Sequence, residues 1–145
     1  MGSEMCIRDS PNVIEKIDPY QLYISLTAYS EESHLTLNRP SKNYWDEINK
    51  SLRILSEKDC RTVLRLTLIK GYNMKAENYV KLIEKASPMF IEAKAYMYLG
   101  YSRLRLPKTA MPEHEEVRKF SEELAKLTGY EIKDESQISR VVLLS

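Results

Sequence analysis

The sequence predicts an α/β fold of parallel strands joined by crossover helices, closing toward a barrel or partial barrel with a polar interior. Three observations predict it. Short β-prone apolar runs alternate with stretches of helical periodicity, giving the order βαβαβαβ, which implies parallel strands and right-handed connections. Each of the three strongest strand segments is apolar on one face and polar on the other. Finally, at 145 residues and 43% apolar content the chain suits one ordinary domain with a real core.

The strands come first. Residues 21–28 (QLYISLTA), 61–69 (RTVLRLTLI) and 89–97 (MFIEAKAYM) have strand length and composition. A weaker pair, 130–133 and 140–144, closes the chain. Helices fall between them. Residues 43–56 place Trp45, Ile48, Leu52 and Leu55 on one face at spacings of three and four. Residues 75–86 do so with Val80, Ile83 and Ala86, and Pro88 follows. Residues 112–128 align Val117, Phe120, Leu124 and Leu127, with Pro112 suited to a first turn and Gly129 placed where a helix end favours glycine. Residues 12–17 read as a helical turn or a loop.

The first ten residues, MGSEMCIRDS, carry no periodicity and read either as a foreign tail or as a flexible N-terminus. The domain proper is therefore expected over 11–145. Net charge is +1, from 22 basic and 21 acidic residues, which argues against a wholesale nucleic-acid-binding domain but leaves room for a local basic patch. No apolar run approaches the roughly 18 residues of a membrane span, and no signal-peptide pattern is visible. The two cysteines, Cys6 and Cys60, form no framework, so a cytoplasmic, reduced setting is expected.

The polar strand faces carry the chemistry. A parallel strand covered on both sides is normally apolar on both. Here Tyr23, Ser25 and Thr27 share one face of the first strand, Arg65 and Thr67 one face of the second, and Glu92, Lys94 and Tyr96 one face of the third. Burying such charges unpaired costs on the order of several kcal/mol each. The face must meet water, a polar ligand or its own ion pairs, of which Glu92–Arg65 and Glu92–Lys94 are the candidates. His114, beside Glu113, Glu115 and Glu116, reads as part of an acidic first helical turn that suits the helix dipole. His34 falls in a polar loop and is expected to be solvated.

Several long strings carry a resemblance. They are QLYISL (21–26), LNRP (37–40), CRTVLRLTLIKGYNM (60–74), FIEAKAYMYLGYSRLRL (90–106), MPEHEEVRKF (111–120) and SRVVLL (139–144). Together they resemble the C-terminal half of archaeal-type 4-demethylwyosine synthases, from Pro11 to the end. The resemblance implies a radical S-adenosylmethionine enzyme with an incomplete (β/α) barrel, of which this chain holds the C-terminal half only. It implies a lyase-class tRNA modification in which N1-methylguanosine of tRNA-Phe and pyruvate yield 4-demethylwyosine. S-adenosylmethionine, [4Fe–4S] clusters and an external electron donor are its cofactors and partners. No Cys-x-x-x-Cys-x-x-Cys occurs here, so the cluster loops are expected upstream in a missing N-terminal half, and the fragment is expected to be inactive alone. Residues 27–29 (TAY) also depart from the acidic residue and proline expected after that strand.

Under the resemblance, Ser25, Thr27, Arg65 and Thr67 become candidates for the ribose or carboxylate of S-adenosylmethionine, Arg65 through a bidentate pair. Asn73 would sit at the C-terminal mouth of the strands, where such sites lie. Lys94 and Lys70 are candidates for pyruvate, by ion pairing or as a Schiff base. Residues 94–108 interleave cations with aromatics, which suits RNA. Arg103, Arg105 and Lys108 are candidates for tRNA phosphates, and Tyr96, Tyr98 and Tyr101 for stacking or packing. Two rivals stand beside this reading: an iron-independent Schiff-base aldolase or lyase, and a non-catalytic tRNA-binding module.

Overall fold

A computed structural model describes residues 21–35, 43–97 and 108–145, together with Pro11. The expected segments 12–17 and 98–107, and the first ten residues, lie outside this range. The elements run β1 (Gln21–Leu26), α1 (Glu31–Ser33), α2 (Trp45–Leu55), β2 (Arg61–Leu68), a 3-10 turn (Ala76–Tyr79) leading into α3 (Val80–Ala86), β3 (Phe90–Ala95), a 3-10 turn (Lys108–Ala110), α4 (His114–Thr128), β4 (Ile132–Ser136) and β5 (Val141–Leu144).

The strands form one five-stranded sheet in the order β1-β2-β3-β5-β4. β1, β2 and β3 pair in parallel, as their alternation with helices requires. β5 departs from that expectation, running antiparallel to both β3 and β4. The reason is connection length. Only residues 137–140 join β4 to β5, whereas a parallel crossover needs about a dozen residues or more. α4 carries the chain across from β3 and leaves a strand-wide gap; the hairpin returns β5 into it. Arg140 makes the tight turn at φ 52°.

The strand and helix periodicities converge on one apolar layer. Leu22, Ile24, Leu26, Leu64, Leu66, Leu68, Ile91 and Ala93 are essentially buried, packed with Ile48, Leu52, Ile83, Val117, Phe120 and Leu124 from the helices. Each large aliphatic side chain buried here contributes about 2 kcal/mol of transfer free energy. Leu127, expected on the α4 stripe, is exposed because the stripe runs out at the helix end, where Gly129 takes φ 84° and its N–H caps Ala125. His34 also departs from expectation. It is fully buried, its Nε2 accepts the Tyr44 backbone N–H at 3.3 Å, and its ring lies 6.1 Å from that of Trp45. The cap that precedes it, Ser30 with Ser33, ends the β1 connection in a short helix that turns His34 inward.

Candidate functional site

Alternation along β1, β2 and β3 leaves one sheet face polar, and the parallel register sets its groups side by side. Ser25, Arg65, Glu92 and then Leu143 form one row across the sheet, and Thr67, Lys94 and Val141 the next. Within the first row Arg65 Nε donates to Glu92 Oε1 at 3.1 Å, with both side chains largely covered. The same guanidinium lies 4.9 Å from the Tyr23 ring centroid. One of the two ion pairs expected from sequence is thus formed, and Arg65 is held on both sides.

Lys94 is different. It lies on the same half-buried face, but its side chain makes no ion pair or hydrogen bond among the described residues. Its register neighbours are Thr67 and Val141 rather than a carboxylate. Lys70, just beyond β2, sits outside this face and pairs with Glu116 Oε2 of α4 at 3.2 Å. The two lysines singled out by sequence therefore occupy different surroundings.

Asn73 is buried and fully engaged. Its Oδ1 accepts the Ile69 N–H at 2.6 Å, and its Nδ2 donates to the Thr27 and Thr67 carbonyls at 2.7 and 2.9 Å. It ties the end of β1 to the end of β2. Tyr79 donates its hydroxyl to the Asn73 carbonyl at 2.9 Å and stacks edge-on to Tyr29 and Phe120. Burial pushes the Tyr79 hydroxyl pKa far above the ordinary tyrosine value, with the nearby Tyr29 charge adding to it. Tyr96 lies buried in a small second cluster with Ile69 and Ala110, so its ring packs rather than projects. Lys108 is exposed at the start of a 3-10 turn. Tyr98, Tyr101, Arg103 and Arg105 lie outside the described residues.

Beyond the C-terminal ends of β1 and β2 opens a hollow of about 390 Å³, lined chiefly by Tyr29, Gly71, Tyr72, Lys75, Glu77 and Asn78. Sequence reading reached Asn73 but missed these neighbours. The signal was present in GYNMKAEN (71–78), a dense run of aromatic, amide and charged groups directly after a strand end. His114 and Glu135 pair at 2.8 Å across α4 and β4, and Arg118 joins the same carboxylate. Glu116 Oε1 accepts the Glu113 N–H, which lowers the Glu116 pKa, with Lys70 contributing.

A cluster fit can be tested on these residues. Among the described residues no group of three or more His, Cys, Asp or Glu is placed to hold a metal ion. Cys60 is part-buried just before β2, at the opposite end of that strand from the hollow. The described residues do not fit an iron–sulfur cluster. Among them, too, no helix is long and apolar enough to cross a membrane.

Residues 85–145 match the family model for wyosine base formation. The chain is 50% identical over 129 residues to the S-adenosyl-L-methionine-dependent tRNA 4-demethylwyosine synthase of Pyrococcus abyssi, covering 87% of this chain and 38% of that protein. The Methanocaldococcus jannaschii enzyme of the same name is 47% identical, over 92% of this chain and 42% of that protein. Among solved structures, TYW1 with a lysine-pyruvate adduct bound superposes with a TM-score of 0.85 at 44% identity, covering 93% of this chain and 43% of that one. A crystal structure of archaeal TYW1 gives 0.78 at 40% identity, over 94% and 43%. The chain spans about two-fifths of the length of these archaeal relatives. By sequence and by fold, then, it corresponds to the C-terminal part of the tRNA 4-demethylwyosine synthase family.

Proposed function

We propose that this chain forms the substrate-facing C-terminal part of a radical S-adenosylmethionine lyase that converts N1-methylguanosine in tRNA-Phe, with pyruvate, into 4-demethylwyosine. The observation that carries it is the likeness, at 44% identity, to a TYW1 structure holding a lysine-pyruvate adduct. A second support is the polar sheet face, where Lys94 stands between Thr67 and Val141 without a carboxylate partner among the described residues. In this reading the polar face lines the lumen of a partial (β/α) barrel, a cytoplasmic enzyme's active site, with the N-terminal half and an external electron donor as partners. The domain runs from residue 11, and residues 1–10 are a tail.

S-adenosylmethionine, when bound, supplies the radical that opens the chemistry. This chain's share is binding and positioning. The Ser25, Thr27 and Thr67 hydroxyls face the lumen as hydrogen-bonding groups for its polar atoms. Arg65, clamped by Glu92 and Tyr23, places a fixed positive charge on this face that attracts a carboxylate. Asn73 acts at one remove, by fixing the strand ends. No step is assigned to an iron–sulfur cluster, because two cysteines fall short of the three thiolates required. The chain is accordingly inactive by itself.

Pyruvate goes to Lys94 rather than Lys70. A neutral lysine amine attacks the keto carbon, water leaves, and an imine forms. Lys70 is the weaker choice because its ammonium is held by Glu116. Borohydride reduction in the presence of pyruvate is expected to add a stable mass to Lys94, lost in Lys94→Arg and kept in Lys70→Arg. An adduct on Lys70, or none on either, would remove pyruvate capture from Lys94. Tyr98, Tyr101, Arg103, Arg105 and Lys108 remain the proposed tRNA contacts of the basic stretch, while Tyr96 packs with Ile69 and Ala110.

A further inference from the structure

We propose that the hollow beyond β1 and β2 seats one unstacked RNA nucleotide, its base against Tyr29 and Tyr72 and its phosphodiester at Lys75. The proposal rests on the reading that this chain faces tRNA, and it names a contact surface outside both the lumen and the basic stretch at 94–108.

Size and chemistry come first. The hollow's volume of about 390 Å³ falls at the small end of ordinary ligand pockets, roughly 300–1,000 Å³. Two tyrosines, a lysine, a carboxylate and an amide are the residue types that recognise an extruded base: a ring to stack on, a cation for one phosphate, and polar groups for the base edge. Among the described residues Lys75 is the one cation of the lining, enough for the single charge of a phosphodiester, whereas the extra charges of a free nucleoside polyphosphate would go unpaired.

The scaffold beneath is rigid while the lining is uncommitted. Asn73 spends its whole amide on backbone, and Tyr79 locks the Asn73 carbonyl. The Tyr72 and Asn73 N–H groups both donate to the Ile69 carbonyl, fixing the turn, and Gly71 takes φ 85° with open space where a Cβ would stand. Tyr29 is braced edge-on by Tyr79. Above this base, the side chains of Tyr72, Lys75, Glu77 and Asn78 make no hydrogen bond or ion pair with other described residues. Tyr72 is 46% exposed, so much of its ring is open to an incoming group. Glu77 and Asn78 offer an acceptor and a donor to the base edge, so a base carrying an exocyclic amine is preferred.

The test measures binding of the full chain to an anticodon stem-loop RNA containing N1-methylguanosine, by fluorescence anisotropy across a salt series. Tyr72→Ala is expected to weaken binding about 5- to 100-fold, the range for losing one stacked base, and Tyr72→Phe to restore it. Lys75→Gln is expected to flatten the salt dependence by about 0.7 in log–log slope, the share of one phosphate contact on a single strand. Parent-like affinity and slope in all three variants would overturn the seat while leaving tRNA binding intact. If the unmodified chain binds no RNA even at low salt, the seat and the tRNA-facing reading both fall. If adenosine monophosphate binds in a Tyr72-dependent manner and the stem-loop does not, the hollow serves a free nucleotide and the RNA assignment is overturned.

Discussion

The polar sheet face and the hollow beyond its strand ends are built from similar residue types, yet they differ in how far those groups are bonded within the protein. On the face, Arg65 is spent on Glu92 and Tyr23. In the hollow, Tyr72, Lys75, Glu77 and Asn78 touch no polar partner among the described residues. Asn73 stands between the two regions and belongs energetically to the first. The difference separates what a polar side chain does for the fold from what it does for a ligand. A group bonded within the protein is missed when removed because its partners are stranded. A group bonded to nothing is missed only when the ligand arrives.

Replacing Asn73 by Ala should break this contrast most severely. It strands the Ile69 N–H and two carbonyls near the sheet end, at a cost of about 3 kcal/mol in a urea titration. A loss below about 1 kcal/mol would show that the strand ends are held by something else. The next largest effect is alkaline. The folded state keeps the Tyr79 and Tyr130 protons because burial raises both pKa values, while the unfolded chain releases them near pH ~10. Stability is therefore fully present below that pH and falls above it, by up to about 1.4 kcal/mol per pH unit for each tyrosine. Tyr79→Phe should flatten the decline between pH 10 and 11; an unchanged slope would contradict the assignment.

Smaller still is the Arg65–Glu92 pair, whose double-mutant coupling should come to about 1 kcal/mol, since its side chains are 23% and 16% exposed. A coupling of zero would make the pair a bystander to the fold. Smallest of all, Tyr72→Ala and Lys75→Gln should shift stability by less than about 0.5 kcal/mol. A larger loss in either would mean that the hollow is lined by structural residues after all.

Much of the architecture was readable before any coordinates. A period of two along β1, β2 and β3, and spacings of three and four along α2 and α4, depend only on where successive side chains point, so they mark core and polar face directly. Gly129 marked a helix end for the same local reason. His34 was misread because its burial depends on Tyr44 and Trp45, ten and eleven positions away, which a local reading of polarity does not see. Lys94, mid-strand on the polar face, read from sequence as better placed than Lys70, and α4 crossing over Lys70 with Glu116 supplied a reason the sequence did not show.

The sequence by itself determined where β1, β2, β3, α2 and α4 lie, which face of those three strands is apolar, and the likeness to wyosine-forming enzymes. Those properties follow from local stereochemistry and the order of side chains. The tertiary structure alone decided that β5 returns antiparallel between β3 and β4, that Arg65 chooses Glu92, that Asn73 braces rather than projects, and that GYNMKAEN frames a hollow. Each of these depends on which distant groups the packed chain brings within hydrogen-bonding reach, and that is set by the shared helix layer rather than by any one segment.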